Sequence, residues 1–177
     1  MSLFRSTAAA LATACVLAGC GQTAQAPSAP QPAVQPPAVP AALLVEIRGA
    51  GSTGVDALDV QPLRDPHVED LLDAAERLEA EGDFASAAAR IDQALEISAD
   101  DPEILQRRAE YALMLGDWDG ARQQAARSFE LGPRLGPLCR RNWTTLRFAA
   151  EHAGDAAGEA EARERVAACT VEPPVRM

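Results

Sequence analysis

Apolar and small residues recur along the chain at a fixed interval. Gly82-Asp83 and Gly116-Asp117 lie 34 residues apart, and Gly154-Asp155 follows 38 residues later. Eleven residues before these glycines stand Leu71, Leu105 and Trp143; two after the first pair come Phe84 and Trp118, and five after come Ala87 and Ala121. Ile91 and Ala125, Ala94 and Ser128, Leu95 and Phe129, and Ile97 and Leu131 keep the same register. The pattern predicts pairs of helices. A glycine between the two members of a pair supplies the left-handed residue that ends one helix, and the aspartate after it caps the next by accepting from free N–H groups. The first helix of each pair begins at Pro66, Pro102 and Pro137, where a fixed φ suits the opening position and the missing N–H costs nothing. Ala75, Ala87, Ala109 and Ala121 let two helix axes come close.

The interval and the small-residue pattern resemble the tetratricopeptide repeat, whose unit is a helix–turn–helix of this length. The resemblance implies an all-α fold over residues 65–171, a short α–α superhelix of helical hairpins. Two repeats are clear. The third is worn, with Arg147 and Glu159 where small residues are expected and extra residues around Gly132 to Gly136, and it reads as a terminal cap that turns a polar face to water. Because three repeats are about the minimum for a stable array, something should cover the first hairpin. Within residues 43–64, Leu43 to Arg48 alternate and could pair with Leu58 to Leu63 across the glycine-rich stretch Gly49 to Gly54, which predicts a β-hairpin; an extended arm on the first hairpin is the alternative.

Ahead of this domain the pattern changes. Met1 to Arg5 carries one positive charge and Ala8 to Leu17 is a short apolar run, the build of a secretory signal. It is too short for a membrane span, which needs about twenty helical residues. Leu17-Ala18-Gly19-Cys20 resembles the bacterial lipobox. That resemblance implies removal of residues 1–19 and a diacylglyceryl group on Cys20; an ordinary signal cut at Ala24 to Ala26 is the alternative. The residue after the anchor is Gly21, not the aspartate that retains such proteins at the inner membrane, so the resemblance favours the outer membrane, facing the periplasm. Residues 20–42 form a Pro- and Ala-rich linker, with Pro27, Pro30, Pro32, Pro36, Pro37 and Pro40 spaced too closely for a helix. Residues 172–177 form a tail.

Composition narrows the function. The hydrophobic share is 47% but aromatics are only 4%, so Ala and Leu dominate, which suits packed helices better than strands. A formal charge of -10 argues against a nucleic-acid partner. No lysine is present, which removes Schiff-base and phosphate-loop chemistry. His67 and His152 are far apart and have no nucleophile beside them, and no G-x-S-x-G or H-E-x-x-H motif occurs. No enzyme activity, cofactor or metal is expected. Of the four cysteines, Cys15 leaves with the signal and Cys20 is lipidated. Cys139 and Cys169 stand equally far from Gly154, at ends of two antiparallel helices that lie side by side. A disulfide is expected in an oxidising compartment, with two buried thiols as the alternative.

In a tetratricopeptide stack the first helices line a concave surface. The resemblance places Glu69, Leu72, Glu76 and Glu79 there from the first hairpin, and Glu103, Gln106, Glu110, Leu113 and Met114 from the second. Arg141, Thr144, Phe148, Glu151 and His152 follow from the third. This lining is mainly acidic and lacks the Lys, Asn and Arg of members that clamp a peptide carboxylate. The complementary ligand is an extended or helical protein segment with Arg or Lys and a few apolar side chains. The expected function is a non-enzymatic adaptor or scaffold, anchored to the membrane by lipid; a structural subunit of a fixed envelope complex or homo-oligomer is the alternative.

Overall fold

The computed structural model describes residues 39–52 and 63–170, which form seven α-helices and no strand among those residues. They are α1 (Ala42–Ser52), α2 (Pro66–Ala80), α3 (Phe84–Ile97), α4 (Pro102–Met114), α5 (Trp118–Leu131), α6 (Pro137–Ala153) and α7 (Ala156–Ala168). The signal segment 1–19, Cys20, most of the linker, the second half of the expected β-hairpin and the tail 172–177 lie outside the described residues.

Pairs α2–α3, α4–α5 and α6–α7 pack as hairpins, and α3 on α4 and α5 on α6 join them into a stack. The turns work as their residues dictate. Gly82, Gly116 and Gly154 have φ of 80°, 76° and 69°, a region that costs an L-residue with a side chain about 1 kcal/mol or more. The following aspartates accept from the backbone N–H groups of Ser86, Gly120 and Gly158 at 2.9–3.0 Å. Asp101 does the same for Glu103 and Ile104 at 2.9 and 3.2 Å, so α4 starts from a capped proline turn.

Ala75, Ala87, Ala109 and Ala121 are fully buried, as close helix crossings require. Val68, Leu71, Ile91, Ala94, Ile104 and Tyr111 complete the core of the first hairpin and its junction with α4. A second cluster joins Ile47, Ala112, Leu113, Ala121 and Phe148. The last helix is different: α7 buries only Ala162 along its length. Its far end is fastened instead, because Cys169 is bonded to Cys139 with Cα atoms 5.7 Å apart and its carbonyl accepts from Gly136 N–H at 2.7 Å.

One element departs from the sequence pattern. Leu43 to Arg48 form neither strand nor extended arm but the middle of α1. Leu44, Ile47 and Gly51 are buried while Val45 is 72% exposed, a helical spacing of three and four rather than an alternation. So short an apolar run satisfies both periods, and the surface it meets decides. That surface belongs chiefly to α6 of the third hairpin, not to the first.

The bridge closes a loop with a sequence separation of 30, for which chain entropy gives about 3.6 kcal/mol. Replacing Cys139 by serine should therefore lower the unfolding free energy by about 2–4 kcal/mol in a urea titration; an unchanged midpoint would show that α7 is held by other contacts.

Candidate functional site

Helices α2, α4 and α6 open the three hairpins; α1 packs on α6 and reaches α4 and α2 through Ile47 and Arg48. The apolar part of the seat is simple: Ile47 enters the cluster of Ala112, Leu113 and Phe148, with Leu43 packed beside it. At the helix C-terminus the carbonyls of Ala50 and Gly51 accept from the Arg140 guanidinium at 2.8 and 3.0 Å, so α6 supplies a cap to α1. Gly51 allows the approach: a Cβ there would meet the Arg141 side chain at 2.9 Å.

The polar part centres on Arg48. Its Nε donates to Glu110 at 3.0 Å, and its two terminal nitrogens donate to the two oxygens of Glu79 at 2.5 and 2.9 Å. One α1 side chain thus bridges α2 and α4. Glu110 is fully buried, and it also accepts from Arg141 at 2.5 and 3.0 Å and from the Gln106 amide at 3.2 Å. Gln106 in turn donates to the Thr145 hydroxyl of α6 at 2.8 Å. Glu79 receives the Tyr111 hydroxyl at 2.7 Å. A buried carboxylate is costly unless charges and hydrogen bonds surround it, and here donors from three helices do so.

These contacts set the protonation states. Burial opposes the charge on Glu79, but hydrogen bonds from Arg48 and Tyr111 and the nearby charges of Arg48 and Arg107 outweigh it and hold its carboxyl below the ordinary value. Burial likewise opposes the charge on Arg48, and Glu79 and Glu110 more than restore it. Tyr111 is pushed up by burial and by its bond to Glu79.

The structure brings the expected lining together but covers much of it. Leu72, Gln106, Glu110, Leu113, Thr144 and Phe148 are buried. Helix α1 covers three of them, with Ile47 on Leu113 and Phe148 and Arg48 on Glu110, while Leu72 lies in the core of the first hairpin and Gln106 faces Thr145 of α6. Thr144 donates to the Arg140 carbonyl, and Phe148 lies under the Arg147 guanidinium at 4.1 Å. Glu79, Met114 and Arg141 are half-buried. Glu103 pairs with Arg64, which also holds Asp101 at 2.8 Å and Glu69 at 3.7 Å. Glu76 is exposed and faces Arg107 at 3.7 Å. Glu151 pairs with Arg147 at 3.5 Å, and His152 stacks on Trp118 at 4.0 Å. Beside α1 a cavity of about 360 Å³ remains, with Arg48, Arg64, Arg107 and Arg141 among its walls.

Sequence reasoning missed Arg48, Tyr111, Arg140 and Thr145. Arg48 had a signal, a lone cation after Ile47, but the alternation assigned it to a strand. Arg140 lies at a helix start, where the macrodipole disfavours a cation; the α1 carbonyls answer it. Among the described residues, no group of His, Cys, Asp and Glu could hold a metal ion, and no helix is long and apolar enough to cross a membrane.

The family model described as tetratricopeptide repeat matches residues 78–133, from the end of α2 to just beyond α5. Among solved structures, the globular C-terminal domain of P. aeruginosa LpoP matches with a TM-score of 0.55 and 32% identity, over 59% of this chain and 99% of that one. No curated protein matches.

Arg48→Ala should release α1 while the hairpin stack stays folded, because Glu110 retains Arg141 and Gln106, and Glu79 retains Tyr111. The expected loss is about 2 kcal/mol, read from a urea titration together with faster amide exchange in α1 alone. The stability from Glu79 should be present above its unfolded value of about 4.3 and vanish as pH falls through its depressed folded value. Glu79→Gln should flatten that acid limb; an unaltered limb would remove Glu79 as its source.

Proposed function

The chain belongs to the tetratricopeptide-repeat proteins, and from that premise we propose that it is a non-enzymatic adaptor of the cell envelope, lipid-anchored at Cys20 to the outer membrane and facing the periplasm. The observation that carries the adaptor reading is the grip of Glu79 and Glu110 on an arginine from an amphipathic helix. It supports a surface whose chemistry recognises a basic, partly apolar helical segment. The likeness to the LpoP domain supports the same reading at the level of the fold. The lipobox-like Leu17 to Cys20 and the proline-rich linker support the anchor and tether. At about 3.1 Å per residue, a polyproline II spacer of that length carries a domain roughly 70 Å from the lipid.

Cys20→Ser should abolish fatty-acid labelling and move the chain from the membrane to the soluble fraction; retention in the membrane would reject the anchor. For the partner, the buried Glu110 is a poor choice for charge reversal, because a third cation would join Arg48 and Arg141. Glu69 and Glu76 are exposed and suit the test. The Glu69→Arg, Glu76→Arg double variant should stay folded and lose most partner capture in envelope cross-linking, since rim charges steer encounter. Unchanged capture would rule the acidic rim out.

A further inference from the structure

We infer that α1 is a replaceable occupant of its seat, and that the partner is a helix of another protein presenting the α1 pattern. That pattern is an apolar residue, a second apolar residue three later, an arginine next to it, and a small residue three beyond. The inference deepens the adaptor reading above and rests on it.

Three observations carry it. First, α1 is a poor helix on its own. It has 11 residues including Gly49 and Gly51, and isolated helices shorter than about 12–15 residues are marginal in water even when rich in alanine. Its last carbonyls depend on Arg140. Seating α1 therefore includes the cost of folding it, a cost that a preformed helix with the same side chains avoids. Second, its departure leaves the hairpins supported. The core of α2, α3 and α4 contains no α1 residue, and Ile47 is the α1 residue buried within the second cluster. Of the charged groups it touches, Glu110 keeps Arg141 and Gln106, Glu79 keeps Tyr111, and Arg147 keeps Glu151. Third, the seat is specific. It combines an apolar socket at Leu113 and Phe148, a two-carboxylate fork that matches a guanidinium, and a close crossing at Gly51 that admits only a small residue. A planar guanidinium donating to two carboxylates is a contact that lysine reproduces poorly, so the occupant carries arginine.

The competition is between an intramolecular segment and an external helix. A segment of the same chain competes at an effective concentration on the order of millimolar, and the external helix must overcome this by arriving folded.

The test uses the purified full chain and a synthetic peptide of residues 41–52, stapled between positions 45 and 49, both of which face solvent in α1. The intact chain should take up the peptide. A chain with Arg48→Glu should take it up at least about tenfold more tightly, because its own α1 no longer competes. The same peptide with Arg48→Glu should bind neither. Amides of α1 in the intact chain should exchange far faster than those of α4. If Arg48→Glu disturbs folding, Leu44→Asp disarms α1 by its apolar side and gives the same comparison. Failure of the peptide to bind a folded, disarmed chain would overturn the inference, as would α1 amides as protected as those of α4. Sizing over a range of concentrations covers a remaining occupant: an intact chain that dimerises and excludes the peptide would assign the seat to a second copy and overturn the external partner. None of these readings depends on lipidation or on captured envelope proteins, so a failure of this inference is distinguishable from a failure of the adaptor reading.

Discussion

A single carboxylate, that of Glu110, organises the middle of this molecule. It is fully buried, and a buried charge without partners costs several kcal/mol, so the helices around it must bring donors. Gln106 comes from its own helix, Arg141 from α6 and Arg48 from α1. Because these donors come from three helices, satisfying one group also fixes how α6 lies on α4 and where α1 stops. The Gln106–Thr145 bond adds a second tie between α4 and α6. The hairpins themselves are set by something less directional, the burial of alanines and leucines. The polar knot then selects one relative placement among those that such smooth surfaces would permit.

The two kinds of interaction divide the labour along the stack. Between α2, α3 and α4 the core is apolar throughout. Towards α6 the apolar cluster is smaller, and at α7 a covalent bond adds to packing. Such a gradient is expected of an array whose last repeat has a polar outer face. Arg48, Arg64, Arg140 and Arg141 each make two or more donor contacts, which a guanidinium supports and an ammonium makes less rigidly.

Most of the fold was legible because its signals are local and repeated. Gly82, Gly116 and Gly154 had to take a positive φ, Asp83, Asp117 and Asp155 had to cap, and the prolines had to open helices; each is decided within a few residues. The nearness of Cys139 and Cys169, with Cα atoms 5.7 Å apart, has a related reason, since equal distances from one turn bring two positions side by side in an antiparallel pair. What defeated sequence reasoning was α1, whose conformation is set by a surface remote in sequence. Leu43 to Arg48 obey two periods at once, and the contact with α6 breaks the tie. The lining of the inner face was read in the right place, yet its state was not. A list of side chains on a shared face carries no record of which segment of the same chain lies over it, and the fork at Glu79 and Glu110 becomes visible only once Arg48 is between them.

The position of α1 has a mechanical side. It is the first described element of the chain, directly after residues 39–41, and its main packing partner is the remote α6 rather than the neighbouring α2. Tension arriving from the N-terminal side therefore reaches Leu44, Ile47 and Arg48 before any hairpin feels it. The hairpin stack is shielded behind a short helix that can peel away, so a stretched chain would unveil its inner face and keep its core.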